Sequence, residues 1–160
     1  MSEPFDQRYF ERFYLDPETR VADPEDYYRL GRFLLAYLDF LSIEIEEVLD
    51  LGCGIGHWKT VLRTLDEGIR YRGVEVSEFL CEEFGWERGE LPGYRPEKPC
   101  DLVICQGVLQ YLGDEEAAES IRGFPEMTEA GLYLEVLTEE DWRENCDQER
   151  TDGKVFLRRG

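Results

Sequence analysis

The sequence predicts an α/β fold, a mostly parallel sheet with helices on both faces. Three observations predict it. Short apolar runs alternate with helical stripes from residue 45 onward, the pattern of strands joined by crossover helices. A glycine-rich loop sits between the first such run and the first stripe after it. The run DLVIC at 101–105 is short and apolar, as a central parallel strand buried on both faces should be. At 160 residues the chain suits a single domain. Residues 1–44 read as an N-terminal helical cap and 45–160 as the core.

The first twenty residues are aromatic and charged, with Phe5, Tyr9, Phe10, Phe13 and Tyr14 at mostly helical spacing. Asp23-Pro24-Glu25-Asp26 is a helix start. Asp23 can accept from free amides, Pro24 suits the first turn, and the acids favour the positive end of the dipole. Tyr27, Leu30, Leu34, Leu38 and Leu41 then form one apolar face. Glu47 to Leu51 is the first strand. After the loop Gly52-Cys53-Gly54-Ile55-Gly56, a helix from His57 carries Trp58, Val61, Leu62 and Leu65 at i, i+3, i+4 and i+7. Tyr71 to Val76 is the second strand, and Ser77 a cap for a short helix through Phe84. Glu87 to Leu91 is a weak third strand, ended by Pro92-Gly93. Asp101 to Cys105 is the fourth. Asp114 is expected to cap a helix carrying Ala117, Ala118 and Ile121. Gly131 to Leu137 is the fifth strand, and Thr138 with Asp141 resembles a capping box.

Charge limits the partners. There are 37 Asp and Glu against 18 Lys and Arg, a net charge of −19. Such a surface repels nucleic acid and anionic lipid, whose binding needs cations. Neither nucleic acid nor membrane is an expected partner. No apolar run reaches the roughly 20 residues that span a bilayer. The start MSEPFDQRYFERF has no basic segment followed by an apolar one. The five cysteines are odd in number and form no CxxC pair, so reduced, packed thiols in the cytoplasm are expected. With one His, no metal site is expected.

The segment VLDLGCGIGHW carries the chemistry. Three glycines in five residues let the chain turn sharply and approach a ligand closely. Asp50 sits in the strand end, where an acid is costly unless it bonds the loop's amides. Glu75 ends the next strand, nineteen residues past Gly56, where an acid can bond both hydroxyls of a ribose. The G-x-G-x-G spacing departs from a dinucleotide fingerprint, because the third glycine place falls on His57. It also lacks the Lys and Ser/Thr of a phosphate-binding loop.

These residues, with the run from Cys100 to Leu112 (CDLVICQGVLQYL), resemble the class I S-adenosylmethionine-dependent methyltransferases, a Rossmann-like family. The resemblance covers about residues 45 to 137. It implies S-adenosyl-L-methionine as cofactor and S-adenosyl-L-homocysteine as product. The loop of Gly52, Cys53, Gly54 and Gly56 would pass under the methionine part, and Asp50 would steady the loop and the cofactor's amino group. Glu75, with Val76 beside it, would hold the ribose. Glu90 and Leu91 would lie against the adenine, with Trp86 a further flank. Gln106 would face the methionine. Two departures stand out. The His that many small-molecule members carry in the loop after the fourth strand is absent, and Gln110 and Tyr111 occupy that region. The family's sheet usually has seven strands, and only five can be placed. A shortened domain is expected to leave an open sheet edge through which a second copy could pair.

Methyl transfer from a sulfonium is an in-line displacement with a neutral leaving group. Positioning and water exclusion therefore dominate. A base is needed only when the acceptor must lose a proton. Candidate acceptor-side groups are Tyr111, His57 and Tyr14, with Tyr9, Tyr27 and Gln110 behind them. The expected function is methylation of a small molecule or a protein side chain. The alternatives are an inactive nucleoside-binding or partner-binding module of the same fold and, further off, a nicotinamide-dependent oxidoreductase.

Overall fold

The computed structural model describes residues 7–16, 23–146 and 155–158. Phe5, and the side chains of Tyr9 and Phe13, lie outside the described ones. A short helix α1 (Gln7–Phe10) runs into a π-helical turn (Glu11–Leu15). Helix α2 (Pro24–Phe40) starts as its sequence dictates: Asp23 accepts the Glu25 amide at 3.0 Å and Pro24 fills the first turn. The remaining elements are β1 (Glu47–Leu51), α3 (His57–Leu65), β2 (Arg70–Glu75), α4 (Glu78–Phe84), β3 (Glu87–Arg88) and β4 (Cys100–Gln106). After a 3-10 turn (Leu109–Tyr111) come α5 (Asp114–Met127), β5 (Thr128–Glu135) and α6 (Glu139–Glu144).

The sheet order is β3-β2-β1-β4-β5, and every pairing is parallel. The order reverses at β1, so the crevice outside the carboxyl ends of β1 and β4 is where an open α/β sheet binds its ligand. One face packs Leu38 of α2 and Trp58 and Leu62 of α3 against Val48, Leu102 and Ile104. The other packs Phe124 and Met127 of α5 against Leu49, Leu51, Val103 and Cys105. Helix α2 thus shares the sheet's core. It meets α3 at Gly31, where a Cβ would lie 2.5 Å from Val61 Cγ1.

Several boundaries differ from the sequence expectation, among them β5, which runs Thr128–Glu135 rather than Gly131 to Leu137. Strand β2 stops at Glu75 because the Val76 amide turns to that residue's own carboxylate, 2.9 Å away. Strand β3 has two residues rather than five, because the chain turns after Gly89: the Tyr94 amide closes onto the Glu90 carbonyl at 2.9 Å. Helix α5 is capped by Gly113, whose amide donates to the Glu116 carboxylate at 3.0 Å, and Asp114 is its first residue. Ser77 and Thr138 cap α4 and α6 as expected. All five cysteines are free thiols. No helix among the described residues is long and apolar enough to cross a membrane.

Candidate functional site

A cavity opens at the carboxyl ends of the strands. Its walls are Leu51 and Gly52 at the end of β1, Val74, Glu75 and Val76 at the end of β2, and Gly89, Glu90 and Leu91 after β3. Tyr94, Gln106, Gly107, Val108, Tyr111 and Leu112 complete the sheet side, and Phe10 and Tyr14 join from the N-terminal segment. Most of this lining is apolar, with a few converging polar groups, as small-molecule sites require.

Glu75 organises the polar wall. Its Oε1 accepts the amides of Val76 and Ser77 at 2.9 and 3.1 Å, and its Oε2 accepts the Gly54 amide at 2.9 Å. The residue is 5% exposed. A carboxylate offers about four acceptor positions. Three are taken by the backbone, and the fourth, on Oε2, is free for a ligand hydroxyl. The same side chain that would hold a sugar therefore also fixes the glycine loop.

The loop itself is left-handed at each glycine: φ is +73° at Gly52, +55° at Gly54 and +83° at Gly56. At Gly52 a Cβ would meet Val108 Cγ2 at 2.4 Å, and at Gly56 it would meet Trp86 Cζ2 at 2.6 Å. At Gly54 nothing lies within 4 Å of that position. Two glycines are thus required by the protein's own packing, while the third leaves open space.

Several residues expected at a cofactor do not line the cavity. Asp50 lies beneath it, 2% exposed, and accepts the Tyr71 hydroxyl at 2.5 Å. The loop amides go elsewhere, those of Gly52 and Cys53 to the Val74 carbonyl and that of Gly54 to Glu75. Asp50 is therefore not the group that binds the loop's amides. Cys53 is buried with its sulfur against Gly73, 2.8 Å from where a Cβ would stand. Trp86 does not flank the cavity. Its indole donates to the Gly54 carbonyl at 2.9 Å and its ring covers Gly56 and Gly73, with Lys59 Nζ 4.6 Å from the ring centre. His57 stacks on Tyr27, centroids 4.7 Å apart, outside the lining. Gln110 is buried at the 3-10 turn, away from the lining. Tyr111 and Tyr14 do reach the cavity.

Burial pushes the Asp50 carboxyl up from 3.8 to about 7, opposed by the Tyr71 hydrogen bond and reinforced by the Glu75 charge. Its folded value lies above its unfolded value, so its stabilising contribution is complete below about pH 4 and is lost as pH rises to about 7. Asp50→Asn is expected to match the wild type in melting temperature at pH 4 and exceed it at pH 8. The ceiling on the difference is about 4 kcal/mol. Thermal melts of both proteins at the two values check this, and equal gaps at both would remove the assignment. Burial likewise pushes up Cys53 and Tyr27, with the Asp50 charge adding to each, and both stay protonated at neutral pH.

A second polar group stands beside the cavity, unforeseen from the sequence. The Trp58 indole donates to Gln106 Oε1 at 2.7 Å, and Gln106 Nε2 donates to both oxygens of Glu135 at 3.2 Å. The Tyr133 hydroxyl donates to Glu135 Oε2 at 2.5 Å. Gln106 and Glu135 are register partners at the ends of β4 and β5. In a chain with 37 acids, nothing in the sequence distinguishes Glu135. The parallel register alone brings it beside Gln106.

The comparisons with known proteins bear on the fold. No protein-family model matches the chain, and a search of curated proteins finds no match. Solved structures do match. The plantazolicin methyltransferase BpumL, in complex with a pentazolic desmethylPZN analog and SAH, has a TM-score of 0.65 at 13% identity, covering 88% of this chain and 63% of that one. CalS10, an amino pentose methyltransferase from Micromonospora echinaspora with SAM bound, has a TM-score of 0.59 at 14% identity, covering 81% and 55%. A SAM-dependent methyltransferase from Archaeoglobus fulgidus has a TM-score of 0.53 at 20% identity, covering 78% and 55%. The chain has the fold of the class I SAM-dependent methyltransferases. It spans less than two thirds of the length of these neighbours.

Proposed function

We propose that the protein binds S-adenosyl-L-methionine in this cavity and transfers its methyl group to a small molecule or a protein side chain. The observation that carries the reading is the convergence of three strand ends on one cavity. The turn at Gly52, the remaining acceptor position of Glu75 and the apolar wall of Leu91, Tyr94 and Val108 meet there. These features fit a ligand with a thin chain, a diol and a flat ring. When bound, the cofactor supplies an activated methyl group on a sulfonium. Glu75 would hold the ribose, and Glu90 and Leu91 would bound the adenine. Gln106, locked between Trp58 and Glu135, would mark the methionine end. Phe10 and Tyr14 would shield the site from water, and Tyr111 would face the acceptor.

Isothermal titration with S-adenosylhomocysteine and with NAD tests the reading. Binding of the first and not the second is expected. Binding of NAD alone would point to an oxidoreductase instead. Turnover of a labelled methyl donor against an acceptor panel then separates an enzyme from an inactive binding module. The reading extends to β5, an edge strand of the sheet among the described residues, where Leu132 and Leu134 are 40% and 37% exposed. Pairing with a second copy there predicts a solution mass that rises with concentration. A constant monomer mass removes that part.

A further inference from the structure

The loop between β4 and α5 supplies Gly107, Val108, Tyr111 and Leu112 to the cavity wall. It also interlocks with the glycine loop, since a Cβ at Gly52 would collide with Val108 Cγ2. The regular piece of this loop is the 3-10 turn Leu109–Tyr111. The Tyr111 and Leu112 amides close it on the carbonyls of Val108 and Leu109 at 2.9 and 3.2 Å. A turn this short leaves carbonyls that its own amides do not satisfy.

A segment far along the chain takes those carbonyls. The Phe156 amide donates to the Gln110 carbonyl at 2.7 Å. Arg158 Nη1 donates to the Leu109 carbonyl at 2.9 Å, and Nη2 to the Leu112 carbonyl at 2.7 Å. Nη1 also reaches the Phe156 carbonyl at 3.3 Å, and Nε meets Asp114 Oδ1, at the first residue of α5, at 2.9 Å. The base of this side chain is itself anchored. The Arg158 carbonyl accepts the Glu139 amide at 2.8 Å, and the residue pairs with Thr138 in a parallel bridge at the start of α6. Arg29, Arg70 and Arg88, by contrast, pair with carboxylates on the surface. One planar fork thus holds the turn, the residue after it and the helix that follows. Charge-assisted bonds of this kind are the strong ones, and a guanidinium presents its several donors in a fixed plane. Arg158 is not among the residues that line the cavity.

We infer that Arg158 is a positioning residue for the cavity: through the Leu109 and Leu112 carbonyls it sets the loop after β4, and with it Val108 and Tyr111, against the bound ligand. This rests on the reading of that cavity as the S-adenosylmethionine site. Ligand affinity then depends on a side chain that does not touch the ligand. A shift of the loop moves Val108 away from the cavity wall and away from Gly52 together, so the apolar wall and the glycine loop loosen at once.

The test titrates S-adenosylhomocysteine into the full chain as wild type, Arg158→Lys, Arg158→Ala and Ile69→Val. Arg158→Lys decides, because it keeps the positive charge while a single ammonium cannot reproduce the planar fork. Its affinity is expected to fall by about fivefold or more, the scale of one lost hydrogen bond. Arg158→Ala should lose at least as much. Ile69 lies in the core beside Trp58 and Leu62, outside the cavity lining. Ile69→Val should lower the melting temperature yet keep the affinity within about twofold of the wild type, as distant independent sites do. It therefore separates positioning from general loss of stability. In the ligand-free protein, the NMR amide signals of Val108, Tyr111 and Leu112 should move in Arg158→Lys, while those of Glu90 and Leu91 stay in place. Wild-type affinity in Arg158→Lys, or an equal loss in Ile69→Val, overturns the inference. If S-adenosylhomocysteine does not bind the wild type, the proposed function falls, and unmoved loop amides in Arg158→Lys would overturn the inference on their own.

Discussion

Glu75→Ala is expected to abolish most S-adenosylhomocysteine binding and to lower the melting temperature at the same time. The carboxylate is buried and accepts three backbone amides, one of them in the glycine loop. Removing it leaves those donors without their acceptor. A lost hydrogen bond to a charged group costs about 1.5–3 kcal/mol, and unsatisfied buried donors add to it. A total near 3 kcal/mol corresponds to a fall of roughly 6–12 °C for a domain of this size. The affinity should fall by at least about tenfold, because the ribose contact and the loop geometry go together. Glu75→Gln is not expected to rescue either property. Its amide NH2 would face either the Gly54 N–H or the paired N–H groups of Val76 and Ser77, setting donor against donor. Calorimetric titration and thermal melts of the two variants check this. Wild-type affinity in Glu75→Ala would show that the ligand lies elsewhere.

The second large effect separates packing from binding within five residues. Gly54→Ala is expected to lose S-adenosylhomocysteine affinity by about tenfold or more while remaining well folded. Its Cβ would enter open space, so the main stability cost is the left-handed backbone, on the order of 1 kcal/mol. The same methyl group would stand where the ligand is expected to pass. Gly52→Ala should behave differently. Its Cβ would stand 2.4 Å from Val108 Cγ2, so it must displace the loop after β4 and is expected to be the less stable variant by about 1–3 kcal/mol. Chemical denaturation with ligand titration on both proteins gives the comparison. If Gly54→Ala binds normally, the space above the loop is not the cofactor's path.

The acidic composition gains a local meaning in the structure. Most acids are solvated, and several hold arginines. Glu75 and Asp50 are buried. The first is satisfied by backbone donors, whereas the second is held up near neutrality by burial. The site thus has one carboxylate that backbone donors satisfy and one whose charge burial makes costly. A cationic ligand nearby would favour ionisation of the second.

Much of the site is legible in the sequence because local rules decide it. Asp23-Pro24 begins a helix, Ser77 and Thr138 cap two more, and the change of apolar period separates strands from helices. Gly52, Glu75, Val76, Glu90, Leu91, Gln106, Tyr111 and Tyr14 reach the cavity, most of them because strand ends in a parallel sheet point to one edge. Other placements depend on contacts between residues far apart in the chain. Trp86 follows a short helix, yet it packs on Gly56 and Gly73 rather than toward the cavity, because those glycines leave room for an indole. Asp50 faces Tyr71 through the β1–β2 register, while Glu75 reaches back to take the Gly54 amide. Glu135 becomes visible only when β5 aligns with β4 and sets it beside Gln106. Periodicity, capping and backbone freedom act within a few residues, so the order of elements, the glycine loop and the acid closing β2 can be read along the chain. Which carboxylate fixes the loop, which indole covers it and which acid pairs with Gln106 follow from register and side-chain volume across the sheet, and these exist only once distant segments have packed together.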